Sequence, residues 1–294
     1  MEYVRLSTGA KMPVLGFGVF QIPPEDTKRC VLEAIEAGYR MIDTASTYGN
    51  EKEVGEAIAD CDIPREELFI IGKVWVTDTG YEKAKASIES TLRNLQIDYI
   101  DVMLIHQPFG DYYGTYRALE EAYKNGKVRA VGVSNFPEDR FADICAFNEV
   151  QPVMNQVELH VFNQQRSLRE VMNRYNCQIM ACSPLAQGVN GMFTNEVLSE
   201  IGERHGKSAA QTALRFLIQS GVILAVKSTH KDRMTENLEV FDFKLTEAEM
   251  KEIEKLDLDK SQFLDYSKAW TTENFAQQAN VKDRIWFEMR DVKS

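Results

Sequence analysis

The sequence predicts a single (β/α)8 barrel of the TIM type, preceded by a β-hairpin and followed by extra helices and a tail. Three observations predict it. Eight short aliphatic or β-branched runs alternate with amphipathic stretches of helical period. The runs start roughly every 25 to 32 residues, the length of one strand plus its crossover helix, except for a last gap of about 44. The runs are continuously apolar, as strands covered on both faces are. The 294 residues exceed the ~250 typical of such a barrel only modestly. No Ser/Gly-rich linker divides them, so residues 1–294 read as one domain, with a closing helix and substrate-loop tail from about 246 to 294. A doubly wound sheet is the alternative.

The elements follow in order. A hairpin over 3–14 comes first. The eight expected strands are 14–19, 41–45, 69–75, 101–106, 128–134, 153–159, 178–184 and 222–228. Pro23 and Pro24 sit where a first helical turn tolerates proline. In 81–96 the apolar positions Ala84, Ile88, Leu92 and Leu95 keep helical spacing. The long last gap holds two helices, near 195–205 and 208–220. Ser208 with Gln211 and Thr246 with Glu249 form capping boxes, the second opening a helix over 246–256. Gly38, Gly126 and Gly221 follow helices and suit left-handed caps. Residues after 271 carry no pattern that assigns them.

Composition narrows the function. With 34 basic and 45 acidic residues the net charge is −11, which argues against nucleic acid or an anionic membrane as a partner. A local basic pocket remains compatible with that total. The first twenty residues carry Arg5 and Lys11 and no signal-like apolar run, and the longest aliphatic stretch, 222–226, is far too short to span a bilayer. The five cysteines are odd in number and include no Cys-x-x-Cys pair, as expected for a reducing, cytoplasmic setting. The four histidines form no His-x-x-x-His pair, so no metal site is expected. The expected assembly is a monomer or weak dimer.

Two nucleotide-like motifs fail. Gly16-Phe-Gly18 opens like a dinucleotide fingerprint, but position 21 is glutamine and no third glycine follows. Gly206-Lys207-Ser208 resembles the end of a phosphate loop, yet it lies between two helices and reads better as a turn with Ser208 as N-cap.

In such a barrel the strand C-termini carry the active site. Those ends present Asp43 and, in the following loop, Tyr48; then Lys73, His106, Ser134 with Asn135, Gln156 with Glu158, Ser183, and Lys227 with Ser228. A strand-interior Asp and Lys are costly unless paired, and Asp43 and Lys73 lie on adjacent strands. Taken singly, each residue has a structural reading: a cap, a packing aromatic, a core histidine. Together they suit proton donation. A phenol has a pKa near 10, and a nearby lysine cation favours the phenolate. An aspartate would hold that lysine, and a neutral histidine would orient a carbonyl oxygen. The set fits protonation of an alkoxide formed as hydride reaches a carbonyl carbon. Two other readings compete: a glycosidase using Asp43 and Glu158, and a cofactor-binding sensor or regulatory subunit with little turnover.

These residues resemble the aldo-keto reductases. The resemblance rests on Gly38-Tyr-Arg-Met-Ile-Asp43 through Tyr48, Glu51 and Gly55, on Lys73-Val-Trp75, and on Leu104-Ile-His106-Gln-Pro108. It continues through Gly132-Val-Ser134-Asn135-Phe136, Asn155-Gln156-Val-Glu158, Ser183-Pro-Leu185 and Lys227-Ser228-Thr229 with Arg233, Glu236 and Asn237. It implies that Tyr48 is the acid–base residue, tuned by Lys73 and Asp43, with His106 orienting the carbonyl of a small-molecule substrate. It implies NADPH/NADP+ held across the mouth without a Rossmann fold: Ser134, Asn135 and Gln156 at the carboxamide, Cys182, Ser183 and Leu185 along the cofactor. Lys227, Ser228, Thr229 and Arg233 would hold the 2′-phosphate, with Glu236 and Asn237 near the adenine. Two cations and two hydroxyls suit a phosphate.

Departures from the family pattern stand out too. Cys182 occupies a position where many members stack a tyrosine on the nicotinamide, and a thiol offers far less flat area; it either weakens that stacking or simply packs. Phe20 stands where many relatives have tryptophan, Gln107 follows His106, and Gly72 precedes Lys73. Val19, Phe20, Trp75 and Phe109 are the expected walls of an apolar substrate pocket, with Phe263, Tyr266 and Trp270 of the tail closing it.

Overall fold

In the computed structural model, which describes residues 1–280, eight parallel strands close on themselves. They are β3 (Leu15–Gly18), β4 (Met41–Asp43), β5 (Phe69–Val74), β6 (Val102–Ile105), β7 (Val131–Ser134), β8 (Met154–Glu158), β9 (Gln178–Cys182) and β10 (Ile223–Val226). Their order around the barrel is their order in the chain, with β10 pairing back onto β3. The antiparallel hairpin β1 (Tyr3–Arg5) and β2 (Lys11–Pro13) precedes them. The strands are shorter than the apolar runs that announce them. Val128, for instance, contributes only an isolated bridge to Ile100 before β7 begins.

Helices form the outer ring: α1 (Pro24–Ala37), α2 (Glu51–Asp60), α3 (Tyr81–Leu95), α4 (Tyr112–Lys124), α5 (Glu138–Phe147) and α6 (Arg166–Arg174). After β9 come a run of tight turns (Ala186–Gly191), α7 (Glu196–His205) and α8 (Ala209–Gln219); after β10 come α9 (Lys231–Leu238), α10 (Glu247–Glu254) and α11 (Ala269–Asn280). Both capping boxes form, Ser208 with Gln211 and Thr246 with Glu249. Gly206 is a left-handed cap ending α7, so the phosphate-loop look-alike is a helix–helix turn. The tail beyond residue 280 lies outside the described residues. Among the described residues no helix is long and apolar enough to cross a membrane.

Two cores explain where the polar residues go. The larger lies between strands and helices. The smaller fills the barrel with Met41, Phe69, Ile71, Val102, Leu104, Met154, Met180 and Ile223, together with Leu6 and Met12 of the hairpin segment. Side chains on a strand alternate between faces. Two residues beyond Met41, Ile71, Leu104, Met154 and Met180 on the same inward line come Asp43, Lys73, His106, Gln156 and Cys182. The top layer of the barrel is therefore polar by register. Gly132 belongs to this filling: a Cβ there would stand 2.7 Å from Leu104 Cδ2 and 2.9 Å from the Met154 carbonyl oxygen.

Candidate active site

Lys73 is fully buried and its ammonium uses all three of its hydrogens. It donates to Asp43 Oδ1 at 2.7 Å, to the Thr44 carbonyl at 2.9 Å and to the Tyr48 hydroxyl at 3.3 Å. Tyr48 oxygen is thus an acceptor toward Lys73, which leaves its own proton available to a molecule in the mouth. A single helical turn, Ser46–Tyr48, places the phenol there, and Gly49 ends it with a positive φ of 72°. Ser46 Oγ fastens this turn to the Lys73 carbonyl at 3.1 Å. Asn50 anchors the next residues by donating to the carbonyls of Val19 and Ile22, both at 3.0 Å.

Burial pushes the Tyr48 phenol well above its ordinary pKa, and Asp43 and Cys182 act in the same sense. The phenol is therefore protonated, with the Lys73 ammonium in contact with its oxygen. His106 is driven the other way: burial first, then the Lys73 charge, lowers its pKa well below the usual imidazole value. It is neutral, with Nδ1 buried and unpartnered among the described residues. Its ring meets Trp75 at 4.8 Å and Tyr48 at 5.7 Å between centroids.

The neighbouring strand ends form one network. Gln156 Nε2 donates to Asp43 Oδ1 at 3.0 Å, so Asp43 is held from two sides. Ser134 Oγ donates to the Gln156 carbonyl at 2.8 Å, and Asn135 Nδ2 to the His106 carbonyl at 3.0 Å. Asn135 takes a left-handed backbone (φ 63°) at the end of β7. Cys182 is half-buried beside Glu158, its register partner. Burial, then Glu158, pushes its thiol up to about 12, so it is an unreactive neutral group. Beyond it the chain turns tightly, with positive φ at Ser183, Ala186 and Gln187; Gln187 donates to Ser183 Oγ, and Leu185 packs partly on the core.

At β10 and the start of α9, Lys227 and Arg233 are exposed and enter no ion pair among the described residues. Lys231 beside them is paired with Glu36. Ser228 Oγ closes a local turn on His230, and Thr229 stands next to it. Two unpaired cations, two hydroxyls and a helix N-terminus form a donor set that fits a phosphate. Asn237 is buried, and Glu236 accepts from Ser208 Oγ at 2.7 Å at the cap of α8.

The walls differ in part from expectation. Phe20 is 44% exposed with its ring 5.0 Å from Tyr48, and Trp75 lies against His106. Val19 is completely buried and presents no surface to the mouth, because its side chain belongs to the strand–helix core. Phe109 is covered by Tyr266 and Phe275 at 6.0 and 5.0 Å. Of the three tail aromatics, Tyr266 reaches back to the strand ends, donating to Gln107 Oε1 at 3.1 Å. Trp270 is 52% exposed and Phe263 turns toward His160. Phe275 does the covering, 5.8 Å from Trp75.

The two-carboxylate reading fails on this geometry. Asp43 is tied to Lys73 and Gln156, and Glu158 accepts from His160, Ser261 and Gln262. A second tyrosine–lysine–carboxylate group, Tyr81, Lys85 and Glu121, sits where α3 meets α4. Tyr81 is exposed and Lys85 and Glu121 are part-exposed, on helices of the outer ring rather than at the strand ends.

The model of the aldo/keto reductase family matches residues 14–258. The chain belongs to the aldo-keto reductase family. It is 44% identical over 261 residues to the glyoxal reductase of Bacillus subtilis, covering 88% of this chain and 94% of that protein. A solved aldo-keto reductase from a Medee basin deep-sea metagenome library superposes with a TM-score of 0.88 at 40% identity, covering 90% of this chain and 99% of the other. A Bombyx mori aldo-keto reductase solved in complex with NADP gives 0.85 at 30% identity, over 90% and 95% of the two chains.

The family model's match ends at residue 258, before the segment bearing Tyr266 and Phe275. Sequence reasoning missed Phe275. Thr271, Phe275 and Ala279 are spaced i, i+4, i+8, and they are the residues by which α11 faces inward. That short stripe was the available signal. Glu158 was seen as a carboxylate at a strand end, but two of its partners, Ser261 and Gln262, lie 103 and 104 residues away.

Proposed function

We propose that Tyr48 protonates the nascent alkoxide oxygen while His106 and Lys73 shape the charge around it. The protein is an NADPH-dependent oxidoreductase of carbonyl and alcohol groups, and NADPH, when bound, supplies the hydride to the carbonyl carbon. The observation that carries the assignment is the three-way contact of Lys73 with Asp43, Thr44 and Tyr48. It fixes the lysine as donor to the phenol oxygen and frees the phenol proton for substrate. A phenol kept protonated by burial still transfers readily, because an alkoxide is the stronger base. The neutral His106 imidazole has one N–H to offer a carbonyl oxygen.

Ser134, Asn135 and Gln156 are the carboxamide-binding set in this reading, with Cys182, Ser183 and Leu185 along the cofactor. Lys227, Ser228, Thr229 and Arg233 hold the 2′-phosphate, and Glu236 and Asn237 flank the adenine. The exposed, unpaired cations support this. The five cysteines, all free thiols, support a reducing cytoplasmic setting. The mouth is walled by the chain's own tail, which supports a monomer or weak dimer and a single barrel domain.

The test is Tyr48→Phe. Aldehyde-dependent NADPH oxidation should fall by about 10²- to 10⁴-fold, while fluorescence titration with NADPH stays unchanged. Full activity in the variant would show that another group donates the proton.

A further inference from the structure

Glu158 ends β8 two residues beyond Gln156 on the inward line, yet it faces the tail rather than Lys73's cluster. Three donors converge on its carboxylate. Phe162 N–H donates to His160 Nδ1 at 3.3 Å, so the His160 proton sits on Nε2, which donates to Glu158 Oε1 at 3.1 Å. The Gln262 backbone N–H donates to the same oxygen at 2.7 Å, and Ser261 Oγ to Oε2. Ser261 Oγ in turn accepts from the N–H groups of Phe263 and Leu264 at 3.2 and 3.0 Å.

An open pocket of about 400 Å³, lined by Asn135, Glu158, Leu264 and Tyr266 among others, lies between part of the loop over 259–267 and the strand ends. Leu264 and Tyr266 pack on Phe109 and Phe275, while Ser261 and Gln262 are held by hydrogen bonds. Before these two residues, the Leu258 N–H holds the Phe162 carbonyl at 2.9 Å. After them, Tyr266 meets Gln107 and Phe275 meets Trp75, the ring that lies on His106. Between, Glu158 holds Ser261 and Gln262, with further contacts from Asn190 to Gln262 Oε1 at 2.8 Å and from Phe263 to His160.

We propose that Glu158 is a positioning residue that pins Ser261 and Gln262 and so sets Tyr266 and Phe275 as the outer wall for bulky carbonyl substrates. The inference rests on the proposed reading of the mouth as the carbonyl site. Its amide replacement puts an NH2 where an acceptor was, opposite groups that are all donors. The tail then shifts while Tyr48, Lys73 and His106 keep their own bonds. Only substrates large enough to reach the tail should notice.

The experiment uses the full chain with saturating NADPH, Glu158→Gln and Ser261→Ala, and two substrates: an aromatic aldehyde and methylglyoxal. The expected result is a KM for the aromatic aldehyde raised about tenfold in Glu158→Gln and severalfold in Ser261→Ala. The kcat for both substrates, the KM for methylglyoxal and NADPH binding should stay within about twofold of the wild type, and the Gln262 amide should exchange faster with solvent. An aromatic-aldehyde KM unchanged in both variants overturns the proposal, as does an equal loss of kcat on both substrates. If Glu158→Gln does not fold, Ser261→Ala decides alone, since it removes a single part-buried hydroxyl and leaves the carboxylate in place. A failed pin in an enzyme that Tyr48→Phe inactivates leaves the functional reading intact; turnover surviving Tyr48→Phe defeats that reading instead.

Discussion

Tyr48 and Lys73 touch, but their substitutions should behave differently. Tyr48→Phe removes a hydroxyl that accepts one bond, so the fold should tolerate it. Lys73→Met leaves the buried Asp43 carboxylate with Gln156 as its remaining partner, a change that typically costs about 3–5 kcal/mol. Chemical denaturation of the two variants separates these effects from activity. Lys227→Ala and Arg233→Ala should each raise the KM for NADPH about tenfold and leave that for NADH nearly unchanged. A wild-type preference for NADH in steady-state kinetics would contradict the phosphate assignment. Cys182→Tyr should tighten NADPH binding severalfold, read by fluorescence titration; equal affinity would mean that the thiol merely packs. The four candidate catalytic residues could be read from the sequence because each lies at or just beyond a strand end. The Gln156–Asp43 bond could not, because it joins positions 113 residues apart.

Between elements, the close approach of α2 and α3 gives the sharpest prediction. A Cβ at Gly55 would lie 2.3 Å from the Asn94 carbonyl oxygen and 2.7 Å from the Leu95 carbonyl carbon, both backbone atoms that cannot move aside cheaply. Glu51 bridges the same helices through Thr91 at 2.9 Å and Asn94 at 3.0 Å. Gly55→Ala should therefore destabilise by ~1–3 kcal/mol, measurable by urea unfolding, with the mouth chemistry intact in the folded fraction. The capping boxes and the helical stripe of α3 were legible because they depend on residues three or four apart. The wall made by α11 was not, because its inward stripe is only three residues long and its partners, Trp75 and Phe109, come from distant loops.

For the whole molecule, pH couples these groups to stability. His106 is neutral when folded, so its contribution is complete above about pH 6.5 and declines below, where the unfolded imidazole takes a proton. Burial pushes Glu158 and Glu249 up. The hydrogen bonds outweigh it and hold both below the usual carboxylate range: His160, Gln262 and Ser261 around Glu158, Thr246 and His205 around Glu249. Their contribution is present above about pH 4.5 and is lost as pH falls through the folded values. Urea midpoints should be steady near neutrality, ease downward below about 6.5 and fall more steeply below about 4.5. A midpoint that rises on acidification to pH 5 would contradict the neutral, buried His106.

By itself the sequence determined the barrel, the order of its strands and the polar residues at their ends. Those depend on local periods: about 3.6 residues for a helix, two for a strand, and the recurrent length of a β/α unit. Tertiary structure decided which of those residues meet. Closing the barrel gives Lys73 its three acceptors, gives Asp43 a second donor from the far side, and turns Glu158 from a candidate acid into the anchor of the tail. Contacts of that kind depend on register and tilt around a closed sheet, and no stretch of neighbouring residues encodes them.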